Sequence, residues 1–432
     1  MYRNLQDFLF SLYEQIFLLF RAPLTVHIST IFKKKFQDGT LFATKNGMKR
    51  KIIFLFFIAG SIASTQGFKN PPVGSSALSQ AGAFVAQSDD ATATAYNPAG
   101  LTQIDKQEII LGTTYIYSET KFSDGTYSTE KKFSPVFLPY FFYAKKMSEN
   151  FGFGIGMFSP YGQTVKWGFD AVKKWGYMVP YYSSMQTAQT SLAFAFKINH
   201  SLSTGIGLNF FTSRVVQNSL LPSEQLLKMK ATGQTCSPSF GILYKKEKYS
   251  IGLNYQCPFR IGYSGKVRIP DFYQESVKTK IDFPSVLITG IAFYPTKKLK
   301  IEADAEYVGF SNFEKLPVKI GKGTFKEIER KWKDVYDFYL GFEYKKSKNV
   351  KFRGGVGYIK SPIPDRTWEP SFPDADRIAI AFGSEIKSKF GFFDICFVKS
   401  IFDKTNLKKG GSYDGIYKTK STFFTVQFKK YI

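Results

Sequence analysis

From Gln107 onward, the sequence repeatedly alternates one apolar residue with one polar or small residue. This alternation places the apolar side chains on one face of a β-strand and the others on the opposite face. The same region has no 20-residue apolar run that could cross a membrane as a helix. The chain is therefore expected to be all-β. Alternating segments lie, for example, at 191–198, 205–210, 301–307 and 337–344.

Alternation alone fits two architectures, a soluble sandwich and a transmembrane barrel. A sandwich buries its apolar face against a second sheet, whereas a membrane barrel turns that face to lipid and keeps the polar face in its lumen. Aromatic residues make up 18% of the chain although its mean hydropathy is only -0.17, which fits strands that are apolar on one face. A secretion signal, the loop pattern and the C-terminus favour the barrel.

Residues 48–66 have the features of a secretory signal peptide. A basic start at 49–51 precedes an apolar stretch at 52–62, and small residues follow. We interpret residues 1–47 as a non-native upstream extension, with translation starting at Met48. A genuine amphipathic presequence is the alternative for this extension.

The connections between the predicted strands are alternately short and long. Outer-membrane barrels have this pattern, with short periplasmic turns and long external loops. Counting strands between the turns gives 14, and an even number leaves both chain ends on the periplasmic side. The short connections lie near 146–150, 199–202, 245–248, 295–298, 346–349 and 387–389, and the long ones near 119–132, 160–184, 215–231, 311–331, 360–375 and 402–415.

The end of the chain supports the same location. Phe424, Val426 and Phe428 alternate with polar residues, and the chain ends in Tyr431 and Ile432. We expect the barrel assembly machinery to recognise this amphipathic strand. The sequence thus predicts a multi-pass protein of the bacterial outer membrane, monomeric and in contact with outer-membrane lipid and lipopolysaccharide.

A small, polar segment, GAFVAQSDDATATAYNPAGL at 82–101, precedes the first strand. It resembles the N-terminal plug of the long-chain fatty acid transporter and toluene-channel family of outer-membrane proteins (OMPP1/FadL/TodX). Four further segments are similar to family segments in the same order. They are SPYGQTVKW at 159–167, LAFAFKINHSLSTGIGLNF at 192–210, IEADAEYVGFSNFEKL at 301–316 and SPIPDRTWEPSFPDADR at 361–377.

The resemblance implies a 14-stranded antiparallel transmembrane β-barrel, formed by residues 105–432, with a hatch, residues 67–104, inside its lumen. It further implies passive uptake of hydrophobic molecules, either long-chain fatty acids or aromatic hydrocarbons, gated by the hatch and ending with lateral exit through the wall. A lumen of 14 strands is too wide for side chains alone to fill, so a plug is physically reasonable. A general porin or an adhesin barrel is the alternative.

The resemblance also indicates where the gate and the exit would lie. Pro98 biases Asn97 away from helical geometry, which fixes a bend in the hatch. Gly152, Gly154 and Gly156 share one strand face, so an inward glycine stripe would leave room for the hatch. The gate residues are Asp89, Asp90, Asn97, Pro98 and Ala99, and the strand kink at the lateral opening is Pro160, Tyr161 and Gly162, for which a plain strand end is the alternative.

Five residues are candidate substrate contacts: Phe68, Trp167, Trp175, Arg353 and Arg377. The two tryptophans could guide an apolar substrate or equally form an interfacial girdle. The two arginines are predicted to face the lumen, where either could pair with a substrate carboxylate. The acidic residues at 302, 304 and 306 are expected to be solvated lumen charges that balance Lys351, Arg353 and Arg377.

Other functional classes find little support. The net charge of +25 is carried largely by lysines at predicted turns, without a basic helix or an RNA-binding motif, so nucleic acid is not an expected partner. After the signal, His200 is the only histidine, and it lies in a predicted turn. We therefore expect no catalytic residues, no metal site and no cofactor.

Cys236 and Cys257 are candidates for a cross-strand disulfide. If residues 245–248 form the turn, Tyr244 faces Tyr249, and the same register places the two cysteines opposite each other. The cell envelope is oxidising, which favours such a bond. Two free thiols are the alternative, and Cys396 is expected to face inward as a free thiol.

The signal peptide assignment makes a direct prediction. N-terminal sequencing of the protein purified from outer membranes should begin between about Ser64 and Phe68, because small residues define the cleavage site. A mature protein that retains residues 1–47 would contradict both the assigned start and the signal.

Overall fold

The computed structural model describes residues 66–132 and 135–432. The upstream extension and all of the predicted signal peptide except Gln66 lie outside the described residues. Among the helices that the structure does describe, none is long and apolar enough to span a membrane.

Fourteen antiparallel wall strands close into a barrel, as predicted. The barrel closes where the first and last strands pair along their whole lengths, from Glu108↔Tyr431 to Ser123↔Ile416. In chain order the strands are β1 (Glu108–Ser123), β2 (Ser128–Glu130), β3 (Val136–Ser148), β4 (Phe151–Lys166), β5 (Tyr182–Lys197), β6 (Leu202–Leu220), β7 (Leu226–Lys245), β8 (Tyr249–Gln256), β9 (Phe259–Ile269), β10 (Tyr273–Phe283), β11 (Val286–Thr296), β12 (Leu299–Val308), β13 (Lys315–Ile320), β14 (Lys326–Glu329), β15 (Val335–Lys345), β16 (Val350–Ile359), β17 (Arg377–Lys387), β18 (Phe392–Phe402), β19 (Thr405–Leu407) and β20 (Gly415–Tyr431).

Two wall strands are interrupted, and four short strands belong to loops. The strand β8 continues as β9 after Pro258, and β10 continues as β11 after Pro284. Proline cannot donate to a sheet ladder, so it interrupts strands at such points. The short strands β2, β13, β14 and β19 lie in the connections that the sequence predicts to be long.

The exposed and buried faces of the wall are inverted relative to a soluble sheet. On β15, Tyr336, Phe338 and Leu340 are 50–58% exposed, while Asp337 and Tyr339 between them are at most 6% exposed. A soluble sandwich would bury the first set instead. The apolar belt therefore faces lipid and the polar residues face the lumen.

The external loops are shorter than predicted in two places. Strands β6 and β7 stay paired up to Leu220↔Leu226, so residues 221–225 alone form the turn within the predicted loop 215–231. The paired strands of this hairpin extend beyond the apolar belt. Val215 and Ala231 are buried on its inner side. The loop predicted at 160–184 shortens to 167–181, which contains the helix α3 (Phe169–Lys174).

Residues 66–104 lie against the inward face of the wall. We call residues 66–73 the N-terminal arm and residues 74–104 the hatch core. The hatch core contains α1 (Ser75–Leu78), α2 (Ala93–Tyr96) and a 3-10 helix (Pro98–Gln103), and most of its residues are buried. The arm joins the core at Gly74, whose φ of 84° is a backbone geometry that favours glycine.

The hatch core approaches the wall closely at glycines. A Cβ on Gly205 would lie 2.4 Å from the backbone N of Ala99, and one on Gly154 would lie 2.3 Å from Thr94 Oγ1. Side chains at such positions would push the hatch core away from the wall. The predicted inward glycine stripe at 152–156 on β4 is present, and similar contacts recur on other strands.

The predicted disulfide is wrong, because Cys236 and Cys257 are free thiols in the structure. Lys246 N donates to Tyr249 O, so the β7–β8 turn is tighter than expected and shifts the register. Cys257 N consequently donates to Pro238 O, which separates the two cysteines along the strands. Cys396 is buried as a free thiol, as predicted.

Candidate functional site

The third wall strand, β4, is irregular around Pro160. Its register against β5 shifts just before Tyr161, and the pairing then continues to Lys166. A bulge is one of the few places in a sheet that accepts proline. The strand therefore continues through 160–162 with an irregular register, so the alternative of a plain strand end is wrong, while the lateral opening there stays a prediction.

On its other side, β4 loses its neighbour before the bulge. Among the described residues, the β3–β4 ladder stops at Phe141↔Met157, while residues 136–140 of β3 stay paired with β1. Contact returns further out, where Lys132 N donates to Lys166 O at 2.8 Å. The wall thus has a gap between the external halves of β3 and β4.

The N-terminal arm fills this gap from inside. Gly162 N donates to Phe68 O, and Asn70 N donates to Pro160 O, both at 2.8 Å. Asn70 Nδ2 also donates to Ser159 O at 2.8 Å. The arm therefore acts as a short substitute strand along the edge of β4.

Phe68, a predicted substrate contact, is fully buried in a cluster of aromatic rings. Edge-to-face and tilted aromatic contacts of this kind stabilise a buried ring. Withdrawal of the arm would leave a ring-lined space that suits an apolar molecule. The ring centroids around Phe68 are those of Phe283 at 5.2 Å, Trp332 at 5.3 Å, Phe310 at 5.4 Å, Phe313 at 5.6 Å and Tyr161 at 6.1 Å.

A cavity of about 790 Å³, including its open mouth, lies beside the bulge. The arm, the hatch core, the bulge and the strands β5, β8, β11, β12 and β15 form its walls. Apolar walls with a few polar groups are typical of small-molecule sites. The lining includes apolar Phe158, Pro160, Val286 and Ile288, and polar Gln189, Asn254 and Gln256.

A second cavity, of about 450 Å³, lies on the other side of the arm. Lys69 lines both cavities, and Arg377 lines the second. Lys69 Nζ lies 2.5 Å from Glu306 Oε1, and Arg377 lies 3.1 Å from Asp374 Oδ1. The remaining lining of the second cavity is largely apolar, with Leu78, Ile359, Val398 and Phe423.

Two buried carboxylates of β12 hold the backbone of the hatch core. The N–H groups of residues 84 and 85 donate to Asp304 Oδ2 at 2.8 and 3.1 Å. Those of residues 86 and 87 donate to Glu302 Oε1 at 2.6 and 3.3 Å. These acids are therefore not the solvated charges that the sequence analysis expects. We call the pair the latch.

Among the predicted gate residues, Asn97 bonds through its side chain both to the hatch core and to the wall. Its Nδ2 donates to Val85 O and to Ile242 O of β7, both at 3.0 Å, and its Oδ1 accepts from Ala99 N at 3.2 Å. The side chain thus uses its amide on both partners at once. Pro98 and Ala99 lie directly against inward glycines of the wall.

Asp90 and Asp89, the other two predicted gate residues, make different contacts. Asp90 accepts from Thr92 N at 2.9 Å and from Ser76 Oγ at 2.8 Å, so it braces the hatch core internally. Asp89 pairs with Lys300 of β12 at 2.5 Å. Burial alone would raise the pKa of Asp89, but the Lys300 ammonium holds this pKa below its usual range.

The start of the arm is held at the external end of the lumen. Gln66 Nε2 donates to both carboxylate oxygens of Asp337, at 2.9 and 2.8 Å. Gly67 N donates to Asp374 Oδ2 at 2.8 Å. Burial raises the pKa of Asp374 to about 6, against the opposing effect of Arg377. Gln66, which the sequence analysis assigned to the signal peptide, thus contacts the wall as the following residues do.

Arg353 is not placed to receive a substrate, so this prediction is wrong. Its guanidinium is buried and lies 2.8 Å from Glu343, 2.8 Å from Asp394 and 3.5 Å from Glu385. The strand register brings these carboxylates together, since Glu343 of β15 lies opposite Arg353. An arginine that already has three carboxylates offers no cation to a ligand.

Trp167 and Trp175 join external loops to one another. Both are fully buried, with ring centroids 5.0 Å apart. Trp167 Nε1 donates to Pro370 O at 3.0 Å, and Ser412 Oγ donates to Trp175 O at 2.9 Å. Because both tryptophans are buried, neither forms an exposed interfacial girdle, and neither lines the two cavities; their role as substrate contacts stays a prediction.

Sequence reasoning missed Lys69, Tyr339 and Asp374 as site residues. Tyr339 lines both cavities and donates to Glu306 Oε2 at 2.8 Å. Its inward direction follows from the alternation on β15, so that signal was available. No sequence pattern indicates that Lys69 meets Glu306 or that Asp374 meets Gly67 of the arm.

Comparison with known proteins places the fold among outer-membrane transport proteins. The family model for outer membrane protein transport proteins (OMPP1/FadL/TodX) matches residues 56–431. The long-chain fatty acid transport protein of Salmonella typhi is 24% identical over 396 residues, which cover 78% of this chain and 89% of that protein. The protein of the same description from Escherichia coli K12 is 23% identical over 407 residues, with the same coverage.

Solved structures share the architecture. A Pseudomonas aeruginosa FadL homologue superposes with a TM-score of 0.76 at 18% identity, covering 84% of this chain and 99% of that one. The P. putida toluene transporter TodX gives a TM-score of 0.64 at 15% identity, covering 79% and 94%. At these identities the likeness establishes the fold, a closed 14-stranded barrel.

The latch makes a prediction for hydrogen exchange. Replacing Glu302 and Asp304 together by Ala leaves four buried N–H groups without acceptors, so exchange of the amides of residues 84–87 should speed up roughly 10- to 100-fold. Mass spectrometry of deuterium uptake in detergent measures this. Asp282→Ala, which removes a partner of Arg260 on the outward face, is the matched control. Unchanged exchange at 84–87 in a folded double variant would contradict the latch.

Proposed function

Because this chain belongs to the outer membrane protein transport family (OMPP1/FadL/TodX), we propose that it takes up hydrophobic molecules by passive diffusion, with the N-terminal arm as gate. The protein is an outer-membrane barrel, and members of its family are transport channels and not enzymes. The observation that carries the proposal is the use of one segment, the arm, to pair with the exposed edge of β4 and to wall both cavities.

The arm suits a gate because its movement would open the cavities and the wall together. Leaving β4 breaks three hydrogen bonds of ordinary length, which costs roughly 2–5 kcal/mol. The open form would then be populated at about a few per cent or less without substrate. A substrate that fills the space of Phe68 and the adjoining cavity would offset this cost.

The hatch core is the fixed base of this gate. The latch, Asn97 and the ion pair of Asp89 tie it to β12 and β7 by backbone and charged contacts. Asp90, Pro98 and Ala99 belong to this base as well, so we assign the movement to the arm and not to the predicted gate residues. Gly74 is the point at which the two parts join.

The position of the gap supports lateral exit. A hydrophobic molecule in the larger cavity lies next to Phe158 and Pro160, at the place where β3 and β4 are unpaired. Passage there leads into the outer membrane and avoids water, which an apolar solute disfavours. A steady ion-conducting pore, as in a general porin, has no such need for a lateral route.

The lining of the second cavity favours a carboxylated substrate such as a long-chain fatty acid. Lys69 and Arg377 bring two cations to an otherwise apolar space, and each now holds a protein carboxylate, Glu306 or Asp374. A substrate carboxylate could replace one of these acids while its chain occupies the apolar lining. The relatives are described as long-chain fatty acid and toluene transporters, so aromatic hydrocarbons are the competing class.

We propose the remaining partners from the position of the chain ends and the apolar belt. The last strand, β20, pairs with β1 and β18 and presents its amphipathic end to the barrel assembly machinery. Outer-membrane lipid surrounds the belt, and the closed wall is compatible with a monomer.

Comparing two substrates tests the proposed class. In cells that express the protein in the outer membrane, uptake of labelled oleate should exceed the background, and Arg377→Ala should lower it about three- to tenfold. Arg377→Lys should restore part of it, and toluene uptake should be little changed in all variants. Arg260→Ala, on the outward face, is the matched control. Uptake of toluene without oleate would contradict the carboxylate assignment.

A further inference from the structure

The larger cavity, beside the bulge, is lined by hydrogen-bond acceptors that the protein itself does not use. The side-chain oxygens Asn70 Oδ1, Gln189 Oε1 and Asn254 Oδ1 accept no hydrogen bond from any residue that the structure describes. All three residues line this cavity, and each is at most 7% exposed. A buried acceptor without a donor is destabilising, so three of them around one cavity point to a ligand that donates.

Several donors of the same lining are already in use. Lys69 Nζ pairs with Glu306, and Tyr339 OH donates to the same carboxylate at 2.8 Å. Tyr96 OH donates to Val73 O at 2.7 Å. The protein thus engages this ammonium and these two hydroxyls, while it leaves the three amide oxygens open.

Hydrogen bonds fix the orientation of two of the amides. Asn70 Nδ2 donates to Ser159 O at 2.8 Å. Because a carbonyl can only accept, Asn70 Oδ1 must be turned away from it. Gln189 Nε2 donates to Ser191 Oγ at 2.8 Å and to Asn209 Oδ1 at 3.0 Å. Both side chains therefore spend their nitrogen on the protein and keep their oxygen for another donor.

Two of the three acceptors belong to the wall, and Asn70 belongs to the arm. Gln189 of β5 lies opposite Phe158 at the start of the bulge, and Asn254 of β8 lies opposite Ile288 of β11. Phe158 and Ile288 are apolar members of the cavity lining. Each wall acceptor is thus paired with an apolar neighbour, and both would stay in place when the arm withdraws.

The common polar groups of hydrophobic molecules suit these acceptors differently. A carboxylate only accepts hydrogen bonds, so it gains nothing from an amide oxygen. An ammonium donates, but its charge must leave water, and the carboxylate of Glu306 in this cavity already holds Lys69. A hydroxyl donates without carrying a charge, so its transfer from water is less unfavourable. The acceptors therefore favour a hydroxyl group.

We propose that the larger cavity selects hydrophobic molecules that carry a hydroxyl group, which donates to Gln189 or Asn254 while the apolar remainder packs on Phe158 and Ile288. The inference rests on the proposed uptake function and names a substrate class within it. Lys69 lines both cavities, so a carboxylate of the same molecule would keep its place in the second cavity. A long-chain hydroxy acid thus engages both cavities at once.

Competition binding to the full chain in non-ionic detergent tests this preference. Labelled oleate is displaced by unlabelled oleate, by ricinoleate, which adds one mid-chain hydroxyl to the same chain, and by the O-methyl ether of ricinoleate. Ricinoleate should bind about three- to tenfold more tightly than oleate. The ether has no proton to donate, so it should bind no more tightly than oleate.

Apolar replacements of the wall acceptors locate the site. Gln189→Leu combined with Asn254→Leu should reduce the preference for ricinoleate over oleate to less than about twofold. Ser421→Ala is the matched control. Ser421 Oγ on β20 is also buried and makes no hydrogen bond with a described residue, but Ser421 lines neither cavity. This variant should keep the full preference.

Three results would overturn the proposal: equal binding of ricinoleate and oleate by the wild type, an ether that binds as tightly as ricinoleate, or a preference that survives the double variant. Should the double variant fail to migrate as a heat-modifiable folded barrel, Asn254→Leu alone must lower the preference at least about twofold, and an unchanged preference overturns the site. Oleate uptake by cells separates the two proposals. Uptake above background with equal binding of all three ligands overturns the hydroxyl preference alone, whereas uptake of neither acid overturns the uptake function as well.

Discussion

Every backbone N–H and C=O group in a membrane-spanning wall needs a partner, because lipid offers none. On the side of β4 that faces β3, the partner at the external half is the N-terminal arm and not β3, while the other side stays paired with β5. The aromatic packing of Phe68 and the walls of both cavities depend on the same segment. A single backbone pairing therefore keeps the wall sealed and the interior filled, and one displacement would undo both.

The arm can move by itself only if the hatch core stays in place. The latch of Glu302 and Asp304 and the amide of Asn97 give the hatch core its own bonds to β12 and β7. Inward glycines let the core approach the wall so closely that little space remains for it to shift. The molecule thus combines a tightly held core with an arm that is held by hydrogen bonds, by the ion pair of Lys69 with Glu306 and by the aromatic packing of Phe68.

The sequence predicts the barrel well because alternation on each strand is a local signal. The inward glycines of β4 and the irregularity at Pro160 are local too, and the structure has inward glycines and a register shift there. What fails depends on the exact register between strands. Arg353 meets Glu343, Glu385 and Asp394 from three other strands, and a turn two residues tighter than expected separates Cys236 from Cys257. The contact of Gly67 with Asp374 joins residues far apart in the chain, which no local pattern indicates.

Locking the arm to β4 tests the gate most directly. Asn70→Cys and Pro160→Cys, introduced after the three native cysteines are replaced by Ser, place two thiols where Asn70 N now donates to Pro160 O. Uptake of labelled oleate is measured under oxidising conditions and after reduction, with each single cysteine variant as control. The account predicts that the oxidised double variant loses uptake to the background and regains it on reduction. Equal uptake by the bonded and the reduced protein would contradict it.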